Sequence, residues 1–131
     1  MLEVGITGHQ ELTVTEELTA KAMGSGELQV FATPAMLALM EKTAYQSVAD
    51  ALEEGSGSVG TMVQLTHSAA SPVGMKVVCD SKLTAIDGRK LTFSIEARDE
   101  CGVIGEATHE RFIIYNDKFQ AKADAKLQSN S

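Results

Sequence analysis

Beyond Val59 the chain alternates. Val63, Leu65 and His67 are interleaved with Met62, Gln64 and Thr66, and Met75, Val77, Cys79, Leu83 and Ala85 with Lys76, Asp80, Lys82 and Thr84. A period of two predicts half-buried strands. Asp87-Gly88 predicts a tight hairpin turn, because Leu91, Phe93, Ile95 and Ala97 then alternate with Thr92, Ser94, Glu96 and Arg98. Asp99 to Gly102 reads as the next turn and Val103 to Tyr115 as the last long strand. Ahead of Val59 the period is helical. Leu37, Ala44, Tyr45, Val48 and Leu52 recur at spacings of three, four and seven. Thr33-Pro34 predicts the start, a hydroxyl N-cap followed by proline at the first helical position, so the helix spans about Pro34 to Leu52. Glu53 to Ser58 ends it in a Gly/Ser turn.

Two weaker segments flank this frame. Residues 3 to 15, with Val4, Ile6, Leu12 and Val14, predict a strand interrupted near Gly8, and residues 21 to 26 a small-residue connection. Residues 116–131 form a polar, Ala/Lys-rich tail, helical or disordered. The order is therefore strand, long helix, then four strands joined mostly by hairpins. Such a sheet is antiparallel with one buried face, and the one substantial helix must cover it. Residues 1–115 are expected to form a single α+β domain, about five antiparallel strands wrapped around one helix, the hotdog arrangement. Its exposed sheet edges predict a homodimer or a higher homo-oligomer.

Composition narrows the function. With 131 residues, 44% hydrophobic, no tryptophan and 5% aromatics, the core must be aliphatic. A formal charge of −7 argues against a nucleic-acid surface, though not against a small anion held by a few cations. The first residues lack a basic stretch followed by an apolar run, and no segment approaches the ~20 apolar residues of a membrane span. The expected compartment is cytoplasmic, with Cys79 and Cys101 as free thiols rather than a disulfide.

The candidate chemistry sits at the helix. Glu41 falls on the predicted stripe between Leu37 and Tyr45, and a carboxylate facing a core is costly unless paired, protonated or used. His67 shares a strand face with Val63 and Leu65, directed at the same interface, and Thr33 opens the helix. An N-cap, a helix-edge carboxylate and a core histidine satisfied by backbone account for each residue singly. Their common direction is what points to catalysis. A pair between His67 and Glu41 is expected, with Thr33 as nucleophile or as the group that positions an attacking water. His109 and Arg111 share the inward face of the last strand with Val103, Ala107 and Ile113. No HxxxH, HxH or Cys/His cluster suggests a metal. The Gly55–Gly60 run lacks the Gly-Lys-Ser/Thr ending of a P-loop. Met36 and Met40 read as core filler, or else as lining for a substrate tunnel.

Three segments resemble a known family. Val30-Phe31-Ala32-Thr33-Pro34-Ala35-Met36 through Glu41, Val59-Gly60-Thr61 through His67 to Met75, and Gly105-Glu106-Ala107-Thr108-His109-Glu110-Arg111-Phe112 look like the fluoroacetyl-CoA thioesterase group of hotdog proteins. The resemblance spans about residues 10 to 115. It implies a homodimer that hydrolyses a short or small substituted acyl-CoA to the acid and CoA, with no cofactor other than the CoA of the substrate. It places the catalytic threonine, glutamate and histidine on Thr33, Glu41 and His67, the active-site glycine on Gly60 and a last-strand arginine on Arg111, with Phe31 as a further substrate contact. The fluoroacetate enzymes carry an apolar lid with a phenylalanine ahead of the threonine. Here Glu27 to Phe31 precede Thr33, so thioester hydrolysis is implied but fluoroacetate is not. A non-catalytic acyl-CoA-binding protein and an enoyl-CoA hydratase remain the alternatives. Lys76, Arg89, Lys90 and Arg111 are the cations available to CoA phosphates.

Overall fold

The alternating segments form a five-stranded antiparallel sheet, and the computed structural model, which describes residues 1–129, lays one long helix across it. The strands are β1 (Thr7–Thr13), β2 (Ser56–His67), β3 (Lys76–Asp87), β4 (Lys90–Asp99) and β5 (Gly102–Tyr115). They lie in the order β1-β3-β4-β5-β2. Helix α2 (Thr33–Ala49) packs on the sheet, α1 (Ala20–Met23) is a single turn, and α3 (Asn116–Ser129) continues from β5. The tail is thus helical as far as it is described; residues 130–131 lie outside the described residues.

The hairpins β3–β4 and β4–β5 follow from their turns, with Gly88 at φ 61° closing the first. The joint between β2 and β3 departs from expectation. β2 pairs with β5, not β3, so residues 68–75 cross from one edge of the sheet towards the other. β1 runs through Gly8 without interruption, and β2 is left as a free edge with a bulge between Gly60 and Met62.

Helix α2 is rotated relative to the predicted stripe. Its buried residues are Ala35, Met36, Leu39, Met40, Thr43, Ala44 and Val48, packed with Leu83, Leu91 and Phe93 of the sheet. Met36 and Met40 are core residues, and flexible thioethers fill the irregular gap under the curved strands. Glu41 and Tyr45 fall on the margin of the helix, towards β2, and Leu37 is only half-buried. Ala32, not Thr33, is the N-cap, and the helix ends at Ala49, three residues early. On β5 the inward face runs through Ile104, Ala107, His109 and Arg111, while Val103 is exposed, because the register slips at Ala97/Arg98. Cys79 is buried and Cys101 exposed in the β4–β5 turn; both are free thiols. No helix among the described residues is long and apolar enough to cross a membrane.

Candidate active site

The N-terminal turn of α2 is brought to the end of β2 by one small residue. Gly105 pairs with His67 across β2 and β5, and a Cβ on Gly105 would meet Met36 Sδ at 2.8 Å. Met36 occupies the space that a side chain at 105 would take. Thr33, one turn earlier, therefore reaches His67. Its Oγ1 lies 2.8 Å from His67 Nδ1. The hydroxyl expected to cap the helix is instead committed to an imidazole.

Around this pair lies an open cavity of about 450 Å³ whose walls include Ala20, Ser25, Phe31, Pro34 and Ala70. Phe31 is buried and meets the His67 ring edge-on at 6.5 Å between centroids. The far wall is fastened by backbone. Phe31 N–H donates to Ser71 C=O at 2.8 Å, Ser68 N–H to Ile104 C=O at 2.8 Å, and Ala32 N–H to Leu18 C=O at 2.9 Å. Buried Ser71 donates its hydroxyl to Asp99 at 2.7 Å, which anchors the crossing segment to the β4–β5 turn.

Burial lowers the pKa of His67 below its ordinary 6.5, opposed by a contact with the Ala69 backbone. Its second nitrogen, Nε2, is buried without a hydrogen-bond partner among the described residues. Unpaired buried polar atoms are uncommon, and this one belongs to an imidazole already bonded to a hydroxyl.

Glu41 is elsewhere. Thr33 and Glu41 are eight residues apart, roughly 12 Å along a helix axis. The expected His67–Glu41 pair is not formed within the protomer. Glu41 Oε2 instead accepts from Arg111 Nη1 at 3.3 Å and lies 3.9 Å from His109 Nε2. Its side chain is 39% exposed, so it borders the core rather than entering it. Arg111 is buried, donates from Nε to Ser58 Oγ at 2.7 Å and from Nη2 to Ser58 C=O at 2.8 Å, and lies 5.7 Å from the centre of the Tyr45 ring. Burial pulls the guanidinium pKa down, and the Glu41 carboxylate opposes that.

Gly60 belongs to this second cluster. A Cβ there would collide with Glu41 Oε2 and meet His109 Cε1 at 3.2 Å and Arg111 Nη1 at 3.4 Å. The strand bulges at that point, and the missing side chain lets the carboxylate lie against the β2 backbone. Of the six residues singled out in the sequence, Thr33, His67 and Phe31 form one centre and Glu41, Arg111 and Gly60 another. His109, named there only as an inward-facing strand residue, joins the second. Inward alternation marks such a residue, but its partners, Met62 and Arg111, are not legible from spacing.

The proposed CoA cations are partly engaged. Lys76 pairs with Glu11 at 2.9 Å and Lys90 with Glu110 at 3.8 Å, while Arg89 lies 5.9 Å from the centre of the Tyr115 ring.

Comparison with known proteins gives a consistent picture. The profile of the fluoroacetyl-CoA-specific thioesterase family matches residues 14–117. A fluoroacetyl-CoA thioesterase from Streptantibioticus cattleyicolor is 42% identical over 98 residues, covering 75% of this chain and 70% of that protein. A solved fluoroacetyl-CoA thioesterase structure matches with a TM-score of 0.90 at 36% identity, covering 96% of this chain and 98% of that one. A variant of such an enzyme, 34% identical to this chain, was crystallised with fluoroacetate and CoA; its TM-score is 0.85, over 90% of this chain and 99% of that one. A Thermus thermophilus hypothetical protein of the thioesterase superfamily matches with a TM-score of 0.89 at 27% identity, over 99% of this chain and 96% of that one.

Proposed function

The chain belongs to the fluoroacetyl-CoA-specific thioesterase family of hotdog proteins, and we propose that it hydrolyses a short or small substituted acyl-CoA, with Thr33 and His67 at the reacting centre. It is a thioester hydrolase. The observation that carries the residue assignment is the 2.8 Å contact between Thr33 Oγ1 and His67 Nδ1 inside an open cavity.

Burial keeps His67 neutral, and a neutral Nδ1 facing a hydroxyl accepts its proton. Thr33 Oγ1 then attacks the thioester carbonyl carbon, the C–S bond breaks, and the CoA thiolate takes a proton as it leaves. Water, activated by the same base, opens the Thr33 ester and releases the acid. In the direct variant of this route, Thr33 and His67 hold a water that attacks instead. Either way charge grows on the carbonyl oxygen. The first turn of α2 leaves backbone N–H groups, those of Thr33 and Ala35, free of intrahelical acceptors, and they suit that oxygen.

Glu41 enters through a second copy. β2 is a free edge, and a two-fold axis that pairs β2 with β2 antiparallel places the His67 end of one strand beside the Gly57–Gly60 end of the other. Each protomer thus carries two half-sites, Thr33–His67 and Glu41–Arg111–Gly60, and the dimer joins one of each. The carboxylate of one protomer then borders the Thr33–His67 pair of the other.

The test is thiol release across a panel of acyl-CoAs of graded size. We expect turnover of the smaller members, and a drop of ~100-fold or more in kcat for His67→Ala and for Glu41→Gln. Near-wild-type hydrolysis by both variants would overturn the assignment. Tight acyl-CoA binding without thiol release, or water addition to an enoyl-CoA, would replace the hydrolase reading itself.

A further inference from the structure

His109 takes no part in the chemistry above, yet it is a titratable side chain with no solvent exposure, set where β5 pairs with β2. Its two nitrogens face partners of opposite kind. Nδ1 is 2.8 Å from the carbonyl of Met62, which can only accept, and Nε2 is 3.1 Å from Arg111 Nη1, which can only donate. Those partners require a neutral ring with its proton on Nδ1. Phe93, 6.1 Å away between ring centroids, packs against it.

The consequence falls on Arg111. Ser58 takes hydrogens from Nε and Nη2. Nη1 carries two hydrogens; with one committed to His109, the other is directed at Glu41 Oε2, 3.3 Å away. Tyr45 lies over the same guanidinium and Glu41 is the carboxylate beside it among the described residues, so these groups and His109 are the titratable neighbours that bear on its orientation.

We propose that His109 is a positioning residue for hydrolysis: by accepting from Arg111 Nη1 it aims the guanidinium at Glu41 and fixes the carboxylate against Gly60. The inference rests on Glu41 being the carboxylate of the site. His109 acts through two other side chains and touches no substrate.

Two substitutions separate its functions. Asn at 109 keeps an amide donor near the Met62 carbonyl but offers Arg111 nothing, whereas Gln extends a carbonyl oxygen to where Nε2 stood. His109→Asn should lose about 10-fold or more in kcat with KM within about three-fold, since a displaced catalytic group slows the chemical step. His109→Gln should recover kcat to within about three-fold of wild type. A role in packing alone predicts the reverse order, or losses that follow melting temperature. Full activity in His109→Asn would overturn the proposal. So would ring-nitrogen chemical shifts of the wild-type protein showing an imidazolium or a proton on Nε2 at neutral pH, and that measurement decides the matter even if both variants fail to fold. Failure of the hydrolase reading is recognised separately, as absence of thiol release by the wild-type protein before any substitution is made.

Discussion

A histidine that accepts a proton from a hydroxyl works only while neutral, and burial is what keeps His67 neutral. A group whose pKa is pushed below 6.5 stays unprotonated at pH values where a free imidazole is charged. The acid limb of kcat/KM should therefore be absent from the residual activity of His67→Ala. An acid limb that survives unchanged in that variant would contradict the assignment. Thr33 and His67 were both legible in the sequence, but not their contact. A Thr-Pro pair is compatible with an N-cap threonine and with a threonine at the first helical position. Only the approach of Met36 to Gly105 puts the hydroxyl on the imidazole. Glu41 was misplaced for a related reason. Met36, Met40, Ala44 and Val48 make one apolar face of α2 and Leu37 and Tyr45 an adjacent one, and periodicity does not say which is covered by the sheet.

At the scale of elements, β2 carries His67 at one end and Gly60 near the other. The alternation of β3, β4 and β5 and the Asp87-Gly88 turn made three of the strands readable, because hairpins join chain neighbours. The partner of β2 was not readable. It is chosen by a crossing segment, residues 68–75, whose anchors are backbone bonds and the Ser71–Asp99 contact rather than a turn signature. The bulge of β2 then makes room for Glu41 at Gly60. Gly60→Ala adds a Cβ against the end of a flexible carboxylate, which can swing away, and 3.2 Å from His109 Cε1, which must give by a few tenths of an ångström. We expect a melting temperature within a few degrees of wild type, and kcat reduced by about 10-fold because a catalytic group has been displaced. Unchanged turnover in this variant would show that the position of Glu41 against the bulge is immaterial. Loss of folding would show that the bulge supports the sheet rather than the site.

At the scale of the molecule, one protomer is an incomplete enzyme on the proposed reading, because Thr33–His67 and Glu41–Arg111 are separated along α2. Symmetry makes the claim measurable. His67→Ala and Glu41→Gln are each expected to be nearly inactive alone. In a randomly reassorted equal mixture, half of the dimers are mixed, and each mixed dimer holds one centre with neither substitution, so about a quarter of wild-type thiol release should return. Recovery to that level is the result this account predicts. A mixture that reassorts yet stays at the level of the separate variants would contradict it, by showing that Glu41 and His67 do not act across two chains.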